Sequence, residues 1–304
     1  MKIKGVGIPF SIHQSSCSNR TPKNFEWTKD DAEIEVWMDM DILTGVKQPR
    51  SHKGVKKYAW ICESRAIVPG LYQPFFLPKL LDEIVNAYDG IFTCDRELVD
   101  KHEKIHFCYA GSNLPWIPEK EYKIHEKSKG CSFLASSKKM TEAHDFRHSL
   151  YDNFKVRIKG SEIVWLFGSI TGKSIGYQKN CHIKNSEGVV PWHDKTDALK
   201  DFRFSILAEN DQYDDYFTEK LTDCFATGTV PLYYGTKNIG KYFNMEGIIE
   251  IPNDVAVVDF IATNRLTSDL YYGKMDAIND NFERVKNMQS ADDMMFEKIQ
   301  ELNN

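Results

Sequence analysis

The chain has 304 residues, and its 39 Lys and Arg against 44 Asp and Glu give a formal net charge of −5. That balance excludes a global cationic field for nucleic acid or an anionic membrane surface, so any phosphate must be held by local cations. A chain this long can form two domains and bury about 75% of its unfolded surface without disulfide or metal staples. The seven cysteines, Cys17, Cys62, Cys94, Cys108, Cys131, Cys181 and Cys224, are scattered, odd in number and free of C-x-x-C spacing. This pattern points to reduced thiols in a cytosol-like compartment, not to a disulfide framework or a zinc site.

The opening MKIKGVGIPFSIHQSS is too polar for a signal peptide or membrane anchor, so a cytoplasmic chain, complete from Met1 and without a transmembrane segment, is expected. Residues 57–64 (KYAWICES) read as a buried strand, 77–88 (LPKLLDEIVNAY) as a helix and GIFTC as a strand. DRELVDKHEK follows as a helix and IHFCYAG as a further strand, and this alternation implies a parallel sheet with helices on its faces. A Glu- and Lys-rich stretch over 119–129, after a Pro-Trp-Ile-Pro turn, reads as an exposed connection between two halves. The pattern restarts at CSFLASS and continues to Asn253, and residues 266–304 are helical in pattern. The predicted division is 1–125, 126–285 and a helical tail 286–304.

The densest chemistry lies in FRFSILAENDQYDDYFTEKLTDCFATGTVPLYYG, residues 202–235. Phe204, Ile206 and Ala208 alternate in an apolar run that stops at Glu209-Asn210, as a buried strand ending in a polar loop does. Thr218 is placed to cap a helix with apolar positions Leu221, Cys224 and Phe225, Gly228 ends it, and VPLYYG resumes a strand. A helix N-terminus facing a strand end favours phosphate, and Lys220 in the first turn, where propensity would prefer an acid, adds a full positive charge.

This stretch resembles the C-terminal signature of glycosyltransferase family 10, the α-1,3/1,4-fucosyltransferases: a strand ending in Glu-Asn, a short loop, Tyr-x-Thr-Glu-Lys, a helix, and Gly-x-Val-Pro-x-x-x-Gly. Weaker likeness extends to IVWLFG, to SSKKMTEAHDFRHSLYDNF and to IIEIPNDVAVVDFIATN, so the resemblance covers roughly residues 131 to 285 and the first 130 only faintly. It implies an α/β GT-B fold, two Rossmann-like domains facing across a cleft, with an N-terminal acceptor domain and a C-terminal nucleotide-sugar domain. It also implies an inverting transfer of L-fucose from GDP-fucose to a hydroxyl of a glycan acceptor, in a compact member of the bacterial or viral type. The rivals are another nucleotide sugar on the same fold and a catalytically silent nucleotide- or glycan-binding module.

Three other motifs carry less. His102-Glu103-Lys104-Ile105-His106 matches H-E-x-x-H, but the apolar run from Ile105 implies that the chain enters a strand there, so the rings would not share a helical face. Gly168-Ser-Ile-Thr-Gly172-Lys173-Ser174 is one residue short of a phosphate loop and reads as a loop near the donor or an ordinary surface turn. Asp39-Met40-Asp41 has D-x-D spacing but lies far from the signature, and reads as a chance pair of acids in a half-exposed strand.

The resemblance assigns Arg147 and Lys220 to the diphosphate, Glu219 to ribose or sugar hydroxyls, and Asn210 and Tyr216 to the donor pocket. Read without it, Arg147 is a solvated helix arginine, Lys220 a lysine paired with Asp223 or Glu219, and Asn210 and Tyr216 loop caps. An inverting enzyme also needs a base, and Glu63, where a strand of the first half ends, is the candidate; Asp95 and Glu97 are the reserves. With two cations converging on the diphosphate, no metal is expected to be required, though Mg²⁺ or Mn²⁺ could stimulate turnover.

Overall fold

The computed structural model describes residues 1–7, 15–17, 20–157, 164–168, 170, 195–263 and 265–304. Of the loop at 168–174, all but Gly168 and Ile170 lies outside these residues, as does Cys181. The chain divides into two compact units. The first comprises Met1–Leu114, Tyr213–Thr218 and Gln289–Asn304, and the second Pro115–Gln212 and Glu219–Met288.

In the first unit the described strands are β1 (Lys2–Val6), β2 (Glu26–Thr28), β3 (Ile34–Met38), β4 (Lys56–Ile61), β5 (Gly90–Thr93) and β6 (Ile105–Phe107). They lie in the order β2-β1-β3-β4-β5-β6, all parallel. β3 and β5 are buried at every residue because both faces of the sheet are covered. Alternation splits their side chains. Val36, Met38, Tyr58, Trp60 and Phe92 pack with Met295 and Ile299 of the helix Ala291–Asn303. On the opposite face Trp37, Ala59, Ile61 and Ile91 pack with Ile42, Leu71, Ile84 and Val85.

The helix expected at 77–88 spans Pro78–Ala87, with proline at its first position, where the missing N–H costs nothing. The one expected at 95–104 is only Arg96–Val99, capped by Asp95, whose carboxylate accepts the N–H groups of Glu97 and Leu98. His102 then sits in a turn with Nδ1 accepting the Lys104 N–H at 3.1 Å, and His106 lies in β6, so the H-E-x-x-H residues share no helix. The expected tail also divides: Met275–Asn287 is a helix of the second unit, and Ala291–Asn303, capped by Ser290, is a helix of the first.

The second unit holds β7 (Lys129–Ala135), β8 (Val164–Gly168), β9 (Phe202–Ala208), β10 (Val230–Tyr234) and β11 (Ile249–Glu250). Their order is β11-β10-β9-β7-β8, again all parallel. Phe133, Phe204, Ile206 and Leu232 share one core with Leu150 of the helix Glu142–Arg157 and with Val257, Val258 and Ile261 of the helix Asp254–Ala262. From β7 the chain runs to β8 on one side and then returns to β9 on the other, so the strand order reverses between β7 and β9. In open parallel sheets ligands bind outside the carboxyl ends of the strands at such a point.

The helix Glu219–Ala226 joins β9 to β10 and ends at Gly228, whose φ of 69° is the left-handed conformation glycine adopts without strain. Thr229 N–H donates to Cys224 O at 2.8 Å and Gly228 N–H to Phe225 O at 3.1 Å, the paired bonds of a Schellman motif. Among the described residues no helix is long and apolar enough to cross a membrane.

Candidate active site

Four of the predicted donor residues, Arg147, Asn210, Glu219 and Lys220, belong to the second unit. Thr141 opens the helix after β7, its Oγ1 accepting the His144 N–H at 3.2 Å and lying 2.9 Å from His144 Nδ1. Phe146, Leu150 and Tyr151 are buried on the apolar stripe of that helix. Arg147 is buried as well, at 5% exposure, and is not the solvated arginine of the alternative reading. Its Nη2 donates to the Ala208 carbonyl and, at 3.1 Å, to Asn210 Oδ1. The guanidinium is therefore tied to the carboxyl end of β9, beside the reversal of strand order. Both of these acceptors are neutral, so they orient the guanidinium without cancelling its charge.

Lys220 Nζ lies 3.4 Å from Glu209 Oε2 and 3.7 Å from Glu219 Oε1. Glu219 in turn accepts from Lys195 Nζ at 2.9 Å, and Lys195 reaches Asp223 Oδ2 at 3.0 Å. The other Asp223 oxygen accepts the backbone N–H groups of Trp116 (2.7 Å) and Ile117 (3.1 Å). Two members of this network, Glu209 and Lys195, were not singled out from the sequence. Asp223, an expected partner of Lys220, pairs with Lys195. Burial pulls the Lys195 ammonium down, but Asp223 and Glu219 more than reverse this, and its pKa ends above the ordinary lysine value. The positive side of the site shows at His144, whose pKa falls to about 4 through burial and then through Arg147, Lys138 and Lys220. Its imidazole is neutral at physiological pH.

Lys195→Ala would remove the cation that the buried Glu219 and Asp223 share. It is expected to cost ~3–5 kcal/mol of stability, as breaking a buried pair from one side does. Urea unfolding of the parent and variant measures this, and a difference below ~1 kcal/mol would show that solvent replaces the ammonium.

In the first unit Glu63 directly follows Cys62 at the carboxyl end of β4 and is half-buried. Its backbone N–H donates to Asp39 Oδ1 at 3.1 Å, and its carbonyl accepts the Tyr72 hydroxyl at 2.9 Å. Asp39 corrects an expectation: it is no acid of a half-exposed strand but an 8% exposed residue just past the end of β3. The reserve acids are both bound to Arg65, with Asp95 Oδ1 accepting at 2.7 Å and Glu97 Oε2 at 2.8 Å. Tyr216 is also counted with the first unit. Its ring is buried with Cys94 and Ala110 and stacks on Tyr213 at a centroid distance of 5.1 Å. In the same segment Asp215, with φ at 65°, accepts from Arg96 Nε at 3.0 Å.

Residues 124–272 match the C-terminal domain of glycosyltransferase family 10 (fucosyltransferase). A putative fucosyltransferase-like protein of Arabidopsis thaliana is 40% identical over 62 residues, which are 20% of this chain and 11% of that protein. The alpha-(1,3)-fucosyltransferase FucT of Helicobacter pylori is 32% identical over 57 residues, 19% of this chain and 12% of that one. The matched segments are thus a small fraction of either relative's length. A solved structure of an alpha1,3-fucosyltransferase with GDP-fucose is 14% identical, with a TM-score of 0.53, covering 100% of this chain and 90% of that one. At that identity the likeness is one of fold, two parallel-sheet α/β units of the GT-B class.

Proposed function

Residues 124–272 place this chain in glycosyltransferase family 10, the fucosyltransferases, and on that footing we propose that it transfers L-fucose, with inversion, from GDP-fucose to a hydroxyl of a glycan acceptor. The observation that carries the reading is the buried Arg147, tied to Ala208 and Asn210 where the strand order reverses, with Lys220 acting on the same neighbour, His144. Displacement at an anomeric carbon expels a nucleoside diphosphate, and fixed cations at the leaving group lower that barrier most. Arg147 offers a planar fork to two phosphate oxygens and Lys220 a point charge.

Glu219 and Asn210 hold acceptor oxygens for ribose or sugar hydroxyls. Tyr216, with its ring buried, contributes by fixing the segment Tyr213–Thr218. Glu63 takes the acceptor proton as general base. The six described cysteines are buried free thiols, in keeping with a reducing, cytoplasmic setting.

Calorimetry against GDP, UDP and CMP sugars, followed by product analysis with candidate disaccharides, tests the reading. GDP and GDP-fucose are expected to bind in EDTA, because Arg147 and Lys220 supply the charge that a metal would otherwise bring; a divalent ion then serves only to speed product release. Loss of donor binding in EDTA, restored by Mn²⁺, would overturn metal independence. Binding of UDP sugars alone would assign a different donor, and binding without product would leave a silent module.

A further inference from the structure

Beside the carboxyl end of β4, at the end of β3, stands a second acid that the transfer chemistry above does not use. Asp39 follows β3, which pairs with β4 in the register Trp37 to Ala59 and Met38 to Trp60. Its N–H continues the ladder to the Trp60 carbonyl at 3.2 Å, and its Oδ1 accepts the N–H groups of both Cys62 (2.9 Å) and Glu63 (3.1 Å). The Tyr72 hydroxyl holds the Glu63 carbonyl from the other side. The backbone of Glu63 is thus clamped on both of its polar groups, while its side chain is left half-buried.

Two features of Asp39 work against stability. Its φ of 46° is left-handed at a residue with a Cβ, an uncommon conformation that Asp adopts more readily than most. Its carboxylate is buried among groups of like or potential negative charge: the Glu63 and Asp41 carboxylates, the Cys62 thiol and the Tyr72 hydroxyl. Burial, and next among the raising influences the charge of Glu63, lifts the Asp39 pKa to about 7, against the pull of the two N–H bonds. A left-handed residue whose buried carboxylate feels a neighbouring negative charge is the pattern of a functional position, not of a packing one.

We propose that Asp39 is the positioning residue for Glu63, pinning residues 62 and 63 so that the Glu63 carboxylate leaves the sheet in one direction. This rests on the reading of Glu63 as the base. When ionised, Asp39 also disfavours the charged form of Glu63 and makes it a stronger proton acceptor, so the coupling acts in the pH range where Asp39 titrates.

The test measures kcat, KM for GDP-fucose and pH profiles of Asp39→Ala, Asp39→Asn and Glu63→Gln. Asp39→Ala is expected to lower kcat by about tenfold or more with KM for the donor unchanged, the cost of a misplaced catalytic group. Asp39→Asn accepts the same two N–H groups and tolerates positive φ. It is expected to restore the rate below about pH 6 and to fall behind the parent above about pH 8, where only the parent carries the extra negative charge. Full activity in Glu63→Gln would overturn the base reading itself. Loss of activity there, together with parental kcat in Asp39→Ala, would overturn the positioning role alone, and an Asp39→Asn profile that superimposes on the parent's would overturn the charge coupling.

Discussion

Glu63→Gln is expected to lower fucosyl transfer by about 10²–10⁴-fold, the usual span for a general base, while GDP-fucose affinity stays within a few-fold of the parent. The amide keeps the size of the side chain and loses its negative charge and with it the ability to take a proton. The Glu63 backbone contacts to Asp39 and Tyr72 do not depend on the carboxylate, so the strand end should hold its shape. Donor affinity is the internal control, because the cations assigned to the diphosphate, Arg147 and Lys220, come from the second unit. A Gln variant with full transferase activity would exclude Glu63. Asp95 and Glu97 would be weaker replacements, since both are bound to Arg65 and Asp95 also caps a helix.

What the sequence disclosed and what it hid follow from how local each signal is. The strand Phe202–Ala208 and the helix Glu219–Ala226 were legible because alternation, a polar strand end and Gly228 all lie within one short stretch. The first two strands of the chain were not read, and the third only as a half-exposed strand at Asp39–Asp41: β3 carries Glu35 among its apolar residues, and its burial comes from β1 and β4, which are remote in sequence. Asp39 escaped for the same reason, since its role depends on the β3–β4 register and not on the D-x-D spacing.

Within the site, Arg147 was readable through the family resemblance and Lys220 also from its place in the first turn of a helix, whereas Lys195 and Glu209 are joined to Glu219 and Lys220 only by folding. Glu209 had one usable signal, as a charged residue directly after a buried strand; Lys195 had none. The helix expected at 95–104 stops at Val99 because the acidic and basic residues that follow suit a solvated turn as well as a helix.

Arg147→Ala and Lys220→Ala are each expected to weaken GDP binding and to reduce turnover by ~10² or more, because each removes a cation from charge that grows as the diphosphate departs. The two substitutions should differ in their side effects. Arg147 is buried and holds the Ala208 carbonyl and the Asn210 amide, so its loss also frees the loop that follows β9 and should lower the melting temperature. Lys220, with 26% of its side chain exposed and its ammonium 3.4 Å from Glu209, should cost less stability. Its removal still leaves the buried Glu209 carboxylate without that cation, which adds repulsion toward an incoming diphosphate. Arg147→Lys separates charge from geometry: it keeps the cation but not the planar fork, and should recover part of GDP affinity and little of the rate. GDP calorimetry beside single-turnover rates measures both quantities, and near-parental values in both alanine variants would show that the donor diphosphate binds elsewhere.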